Sequence, residues 1–132
     1  LTLLVVDASA VVALCLTREG WQRYEVLQMA APHLMLSEAG SALHELYWRR
    51  EISQDVASVA RRRLREFPLQ LHSLPPVEDA WDVAERLGWA KTYDAEYVAL
   101  AMQLDCPLLT LDERLRRGGS RLVRVLTPSD LE

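Results

Sequence analysis

The sequence predicts an α/β fold, a three-layer α/β/α sandwich with a mainly parallel five-stranded sheet. Three observations predict it. Leu3 to Val6 is an unbroken apolar, β-branched run, as expected of a strand buried on both faces. Strand-like runs alternate with helical stripes, which demands right-handed crossovers between parallel strands. Proline and glycine stand at the joins between those runs.

Taken in order, Pro32 opens a second strand through Leu36, and Ser37 caps a helix with Ala39, Ala42, Leu43, Leu46 and Tyr47 on its apolar face. Val56, Val59, Ala60, Leu64 and Phe67 line the next helix, ended by Pro68. Leu69 to Leu74 reads as the third strand. Val77, Ala80, Trp81, Ala84 and Leu87 form a helical core stripe that stops at Gly88. A loop with Lys91 and Thr92 leads into a helix over about Asp94 to Leu104. Pro107 opens the fourth strand (LLTL), Asp112 starts a short helix ended by Gly118-Gly119, and Leu122 to Leu126 is the fifth strand.

With 132 residues, 50% apolar and 26% charged, the chain has the size and balance of one globular domain spanning 1–132. Such a chain buries roughly two-thirds of its unfolded surface and needs no disulfide or metal to hold its core. The net charge of −4 disfavours a generic basic nucleic-acid binder but suits a site built of carboxylates. Cys15 and Cys106 show no metal-ligand spacing and read as small buried hydrophobes in a reducing compartment. The apolar N-terminal run lacks a basic leader, and Asp7 would cost about 2.5–3.5 kcal/mol at the centre of a membrane helix. A cytoplasmic protein without a membrane partner is expected.

The acidic residues carry the chemistry. In parallel sheets, ligands bind beyond the carboxyl ends of the strands, where strand order reverses. Asp7 comes after the first strand, Glu38 after the second and Asp112 after the fourth, while Asp94 opens the helix leading back to the fourth. Each residue alone also suits a helix cap or a first helical turn. Together they would repel one another unless a cation sat among them. Oxygen ligands select Mg²⁺ or Mn²⁺ over zinc, and such a site suits phosphodiester hydrolysis. The P-loop and dinucleotide glycine motifs are missing from the sequence. Asp7-Ala8-Ser9 lacks the second acid of a haloacid-dehalogenase-type phosphotransferase, and Lys91 is misplaced for a response-regulator receiver.

The segments LLVVDASAVVAL, SEAGSAL, TYDAEYVALAMQLDCPLLTLDERL and RLVRVLTP, in this order, resemble the PIN-domain family, and within it the VapC-type toxin ribonucleases of toxin–antitoxin modules. The resemblance implies a PIN-like fold with Asp7, Glu38, Asp94 and Asp112 as the acidic, catalytic metal-site quartet. It also implies supporting roles for Ser9 and Thr110. The activity it implies is that of a Mg²⁺- or Mn²⁺-dependent endoribonuclease leaving 5′-phosphate and 3′-hydroxyl ends. Such an enzyme would be held inactive by a cognate antitoxin and form a homodimer. A PIN nuclease of RNA processing without a toxin role and a non-catalytic PIN-like interaction domain are the alternatives. Ser41 stands where many relatives have Asn. Relatives often carry a further acid near the fourth, for which Glu96 and Glu113 are candidates, Glu96 being expected on the solvent side.

Of the basic residues, 14 are Arg and one is Lys. The clusters at Arg49-Arg50, Arg61-Arg62-Arg63 and Arg116-Arg117 fit either RNA backbone contacts or solvated helix faces. Arg114 and Arg116, just behind Asp112, are the candidates for RNA contact. His33, His44 and His72 show no ligand spacing and read as structural or surface residues. Trp21 and Trp48 fall in the region where the resemblance implies an antitoxin groove, but core packing is the default reading of both.

Overall fold

Strand β1 (Thr2–Val6) lies at the middle of the sheet, and Leu4, Val5 and Val6 are all fully buried. Consecutive strand residues point to opposite faces, so this burial requires cover on both sides. The computed structural model describes residues 2–17, 27–73 and 77–131. Its five-stranded sheet has the order β3-β2-β1-β4-β5, formed by β2 (Leu27–Pro32), β3 (Leu69–His72), β4 (Leu108–Leu109) and β5 (Val125–Leu126) around β1. Every neighbouring pair is parallel. The α/β sandwich predicted from the alternation of runs is therefore present.

The chain winds outward from β1 to β3, then crosses back over to β4 and β5. Right-handed crossovers in opposite directions put their helices on opposite faces. Accordingly, α1 (Ala8–Leu16), α2 (Leu34–Trp48) and α3 (Gln54–Glu66) pack on one another, and α4 (Val77–Leu87) packs on α5 (Tyr93–Leu104). Helix α5 lies against β1, β2 and β4, with Ala95, Ala99 and Ala101 buried along it. Small side chains there let the helix sit close to the sheet. The short α6 (Glu113–Gly119) comes after β4 and packs on β5.

Several expected boundaries move. The second strand is Leu27–Pro32, not Pro32 to Leu36; Pro32 ends it. Residues 34–36 instead begin α2, because Met35, Ala39 and Leu43 recur every four residues and are all buried. Ser37 is thus inside the helix, whose cap position is His33 without a side-chain cap bond, and Glu38 falls in the second turn. The fourth and fifth strands are two residues each, shorter than expected, since turns after α6 bond Leu122 and Val123 back to Gly119. Strand β3 stops at His72; Leu74 and Trp21 lie outside the described residues.

Two tryptophans expected in cores are exposed. Helix α4 buries Ala80, Val83, Ala84 and Leu87, which leaves Trp81 beside the stripe and 61% exposed. Trp48 ends α2 at 76% exposure, stacked on His44. Cys15 is buried and Cys106 half-buried, and both are free thiols. No helix among the described residues is long and apolar enough to cross a membrane.

The Arg61-Arg62-Arg63 run divides by helical phase. Arg63 turns inward and donates to the carbonyls of Cys15 (3.0 Å) and Thr17 (2.5 Å), closing the C-terminal end of α1. A cation suits that helix end, where carbonyls lack intrahelical donors. Arg61 and Arg62 are exposed. Replacing Arg63 by Ala is expected to lower unfolding free energy in urea by about 1–3 kcal/mol, the worth of hydrogen bonds to a charged group. Arg62→Ala, measured alongside, is expected to be nearly neutral.

Candidate active site

The strand order reverses at β1, with β2 on one side and β4 on the other, so the sheet's crevice opens at their carboxyl ends. Register builds the first part of the site. Val6 pairs with Leu109, which makes Asp7 and Thr110 the next residues out on adjacent strands. Asp7 is only 4% exposed, Thr110 not at all. The Thr110 hydroxyl donates to Asp7 Oδ2 at 2.5 Å, and Asp7 Oδ1 accepts from the Ala10 N–H at 2.9 Å and the Ser9 hydroxyl at 2.7 Å. Asp7 also caps α1. The Ser9 oxygen in turn accepts from the Leu111 N–H at 2.9 Å, and Thr110 Oγ1 from the Asp112 N–H at 2.9 Å. Ser9 and Thr110 therefore tie the acid after β1 to the segment carrying the acid after β4.

Asp112 caps α6, its Oδ1 accepting from the N–H groups of Arg114 (2.9 Å) and Leu115 (3.1 Å). Glu38 and Asp94 are different. Glu38, in the second turn of α2, takes a 2.5 Å hydrogen bond from the hydroxyl of buried Tyr97. Asp94 lies in the first turn of α5, but the cap position there is Thr92. Neither carboxylate is the cap of its helix.

Electrostatic influence links the four acids in pairs, Asp7 with Asp112 and Glu38, and Asp94 with Asp112 and Glu38. Burial pushes the Asp7 carboxyl above its ordinary value, hydrogen bonds from Thr110, Ala10 and Ser9 oppose this, and the Asp112 charge adds to it. Burial likewise raises Glu38, against the Tyr97 hydrogen bond and with the charges of Asp94 and Asp7 reinforcing it. Burial and the Asp112 charge raise Asp94, while Arg114, 3.6 Å away, pulls it down. Oxygen-only donors of this kind match a hard cation that keeps part of its water shell. Among the described residues, no three His, Cys, Asp or Glu side chains form a ready-made metal cage. The donor chemistry fits a divalent ion held in an open site.

A cleft of about 460 Å³ adjoins the acids and is lined by Glu38, Trp89, Lys91, Tyr93, Asp94 and Arg114, among others. Arg116, expected as a second RNA contact, lies outside that lining, and donates two hydrogen bonds to Glu113 (3.0 and 2.6 Å). The exposed Glu113 is held below its ordinary pKa by Arg116. Glu96, expected toward solvent, is half-buried, with an unpaired Oε1; burial and the Glu38 charge raise its pKa. Ser41 is exposed, in a surface hollow with His44, Glu45 and Trp48 rather than in the cleft. Sequence reasoning passes over Tyr97, although its place three residues after Asp94 puts it on the same side of α5.

A profile of the PIN domain matches residues 4–120. VapC ribonuclease Mb0985 of Mycobacterium bovis is 36% identical over 123 residues, covering 89% of this chain and 91% of that protein. The crystal structure of PAE2754 from Pyrobaculum aerophilum superposes with a TM-score of 0.78 at 28% identity, covering 98% of this chain and 93% of the other. VapBC2 from Rickettsia felis, solved bound to a DNA fragment from its promoter, shares the fold with a TM-score of 0.66 at 11% identity, over 96% of this chain and 98% of its own. The chain belongs to the PIN domain family, and its relatives include VapC ribonucleases.

Raised carboxyl pKa values set the sign of the pH dependence. Asp7, Glu38 and Asp94 hold protons more tightly when folded than when unfolded. Between each unfolded and folded pKa the native state binds more protons, so stability rises as pH falls. In EDTA, the melting temperature is expected to be higher at pH 5 than at pH 7. Carboxylates serving only as caps would give the reverse order.

Proposed function

We propose that the chain is a metal-dependent endoribonuclease, a hydrolase of RNA phosphodiester bonds that acts as the toxin of a toxin–antitoxin module. One observation carries the reading: Glu38 and Asp94 are drawn toward Asp7 and Asp112 although neither is a helix cap. Structural need accounts for two of the acids and not for the other two. The VapC ribonuclease relative supports RNA as substrate.

In this reading Asp7, Glu38, Asp94 and Asp112 hold Mg²⁺ or Mn²⁺. When bound, the ion would polarise the phosphate and neutralise charge on the leaving oxygen. Ser9 and Thr110 fix both oxygens of Asp7, and Tyr97 fixes Glu38, so the donors are oriented before substrate arrives. Arg114 exchanges its contact with Asp94 for the substrate phosphate, a fit for guanidinium chemistry. Glu113 occupies Nε and Nη2 of Arg116, which leaves Nη1 to meet an RNA phosphate. The protein acts as one PIN-like nuclease domain over residues 1–132, in the cytoplasm and as a homodimer. A cognate antitoxin restrains it, a role supported by the fold shared with VapBC2.

Defined RNAs incubated with the purified protein are expected to be cut only with Mg²⁺ or Mn²⁺, leaving 5′-phosphate and 3′-hydroxyl ends on sequencing. Asp7→Asn and Asp94→Asn are each expected to abolish cleavage while circular dichroism stays native, because Asn at position 7 still caps α1 and Asp94 caps no helix. Cleavage near the wild-type rate by either variant at saturating metal would overturn the site assignment.

A further inference from the structure

One wall of the cleft is not used by the chemistry of the four acids. It is the segment from Gly88 to Tyr93, between α4 and α5. Gly88 has φ +73°, a left-handed conformation that L side chains rarely adopt, and the Trp89 N–H bonds back to the Ala84 carbonyl at 2.8 Å. This turn ends α4 and sends the chain along the cleft. Trp89 then packs on the foot of α6: a Cβ added at Gly118 would come within 2.5 Å of its ring. Gly118 lies four residues after Arg114, on the same face of α6, so one short helix both seats Trp89 and presents Arg114 to the cleft. Tyr93 is 57% exposed in the cleft wall, one residue before Asp94. Lys91, the chain's one lysine, lines the same wall.

A supported aromatic wall with two cations beside it matches how proteins hold single-stranded nucleic acid: bases stack on aromatic faces while the backbone meets positive charge. A base inside a duplex already has both faces covered. We infer that this wall is a subsite for an unpaired nucleobase of the RNA, with Tyr93 as its stacking face and Lys91 and Arg114 as contacts for the adjoining phosphates. The inference rests on the nuclease reading and adds the residues that select the strand presented to the acids.

The test is RNA binding without cleavage. Fluorescence anisotropy would track a fluorescein-labelled RNA decamer, alone or annealed to its complement, against Asp94→Asn protein in EDTA. The single strand is expected to bind more tightly than the duplex. Adding Tyr93→Ala is expected to weaken single-strand binding roughly 5- to 100-fold, whereas Tyr93→Phe, which keeps the ring, retains it. Lys91→Ala is expected to weaken binding and flatten its salt dependence by about one phosphate contact. Unchanged binding by Tyr93→Ala, failure of Tyr93→Phe to retain it, duplex bound as tightly as single strand, or no RNA bound would each overturn the subsite. Failure of the nuclease reading appears elsewhere, as wild-type protein that binds this RNA and leaves it uncut with Mn²⁺.

Discussion

The structure depends on a carboxylate buried at the end of its central strand. Asp7 sits where β1 stops and α1 begins, with both oxygens occupied by hydrogen bonds. A buried ionised group is tolerated only when it is well partnered. The partners come from α1 through Ser9 and Ala10, and from the end of β4 through Thr110. Keeping them in place requires the β1–β4 register, since a one-residue slip would turn the Thr110 side chain to the other face. Asp112 is positioned through the same network, because its N–H is anchored on Thr110.

Around that anchor the chain accepts electrostatic strain. Four acids are linked in pairs with Arg114 as the cation paired to one of them, and burial drives three of the four carboxyls upward. A fold selected for stability alone would gain by replacing Glu38 or Asp94 with a neutral residue. Sites that trade stability for function show this kind of local cost. Tyr97 illustrates the arrangement: a buried phenol on α5 commits its hydroxyl to orienting one carboxylate from α2. Helix capping explains Asp7 and Asp112, but neither Glu38 nor Asp94 is the cap of its helix.

Much of this is legible in the sequence, and the reasons are specific. Leu3–Val6 marks the central strand because a doubly covered strand cannot alternate, and Asp112 marks the start of α6 because its cap chemistry is local. The acidic quartet is legible because strand ends place their next residues on one edge. The apolar pattern misplaces β2 because polar Gln28 interrupts its run while the apolar start of α2 imitates a strand. Trp48 and Trp81 read as core residues by their apolar character, yet helical phase leaves both exposed. Tyr97 and Glu96 require knowing which side of α5 faces α2, a fact set by tertiary packing rather than by spacing.

The central claim is that the four acids are assembled to hold a divalent cation. Isothermal titration of MnCl₂ into metal-free protein at pH 7 tests it most directly, with Glu38→Gln for comparison, a change that keeps side-chain size and removes the charge. Saturable binding by the wild type, strongly weakened in Glu38→Gln, is the predicted result. No saturable Mn²⁺ binding by folded wild-type protein, or equal binding by the two, would contradict it.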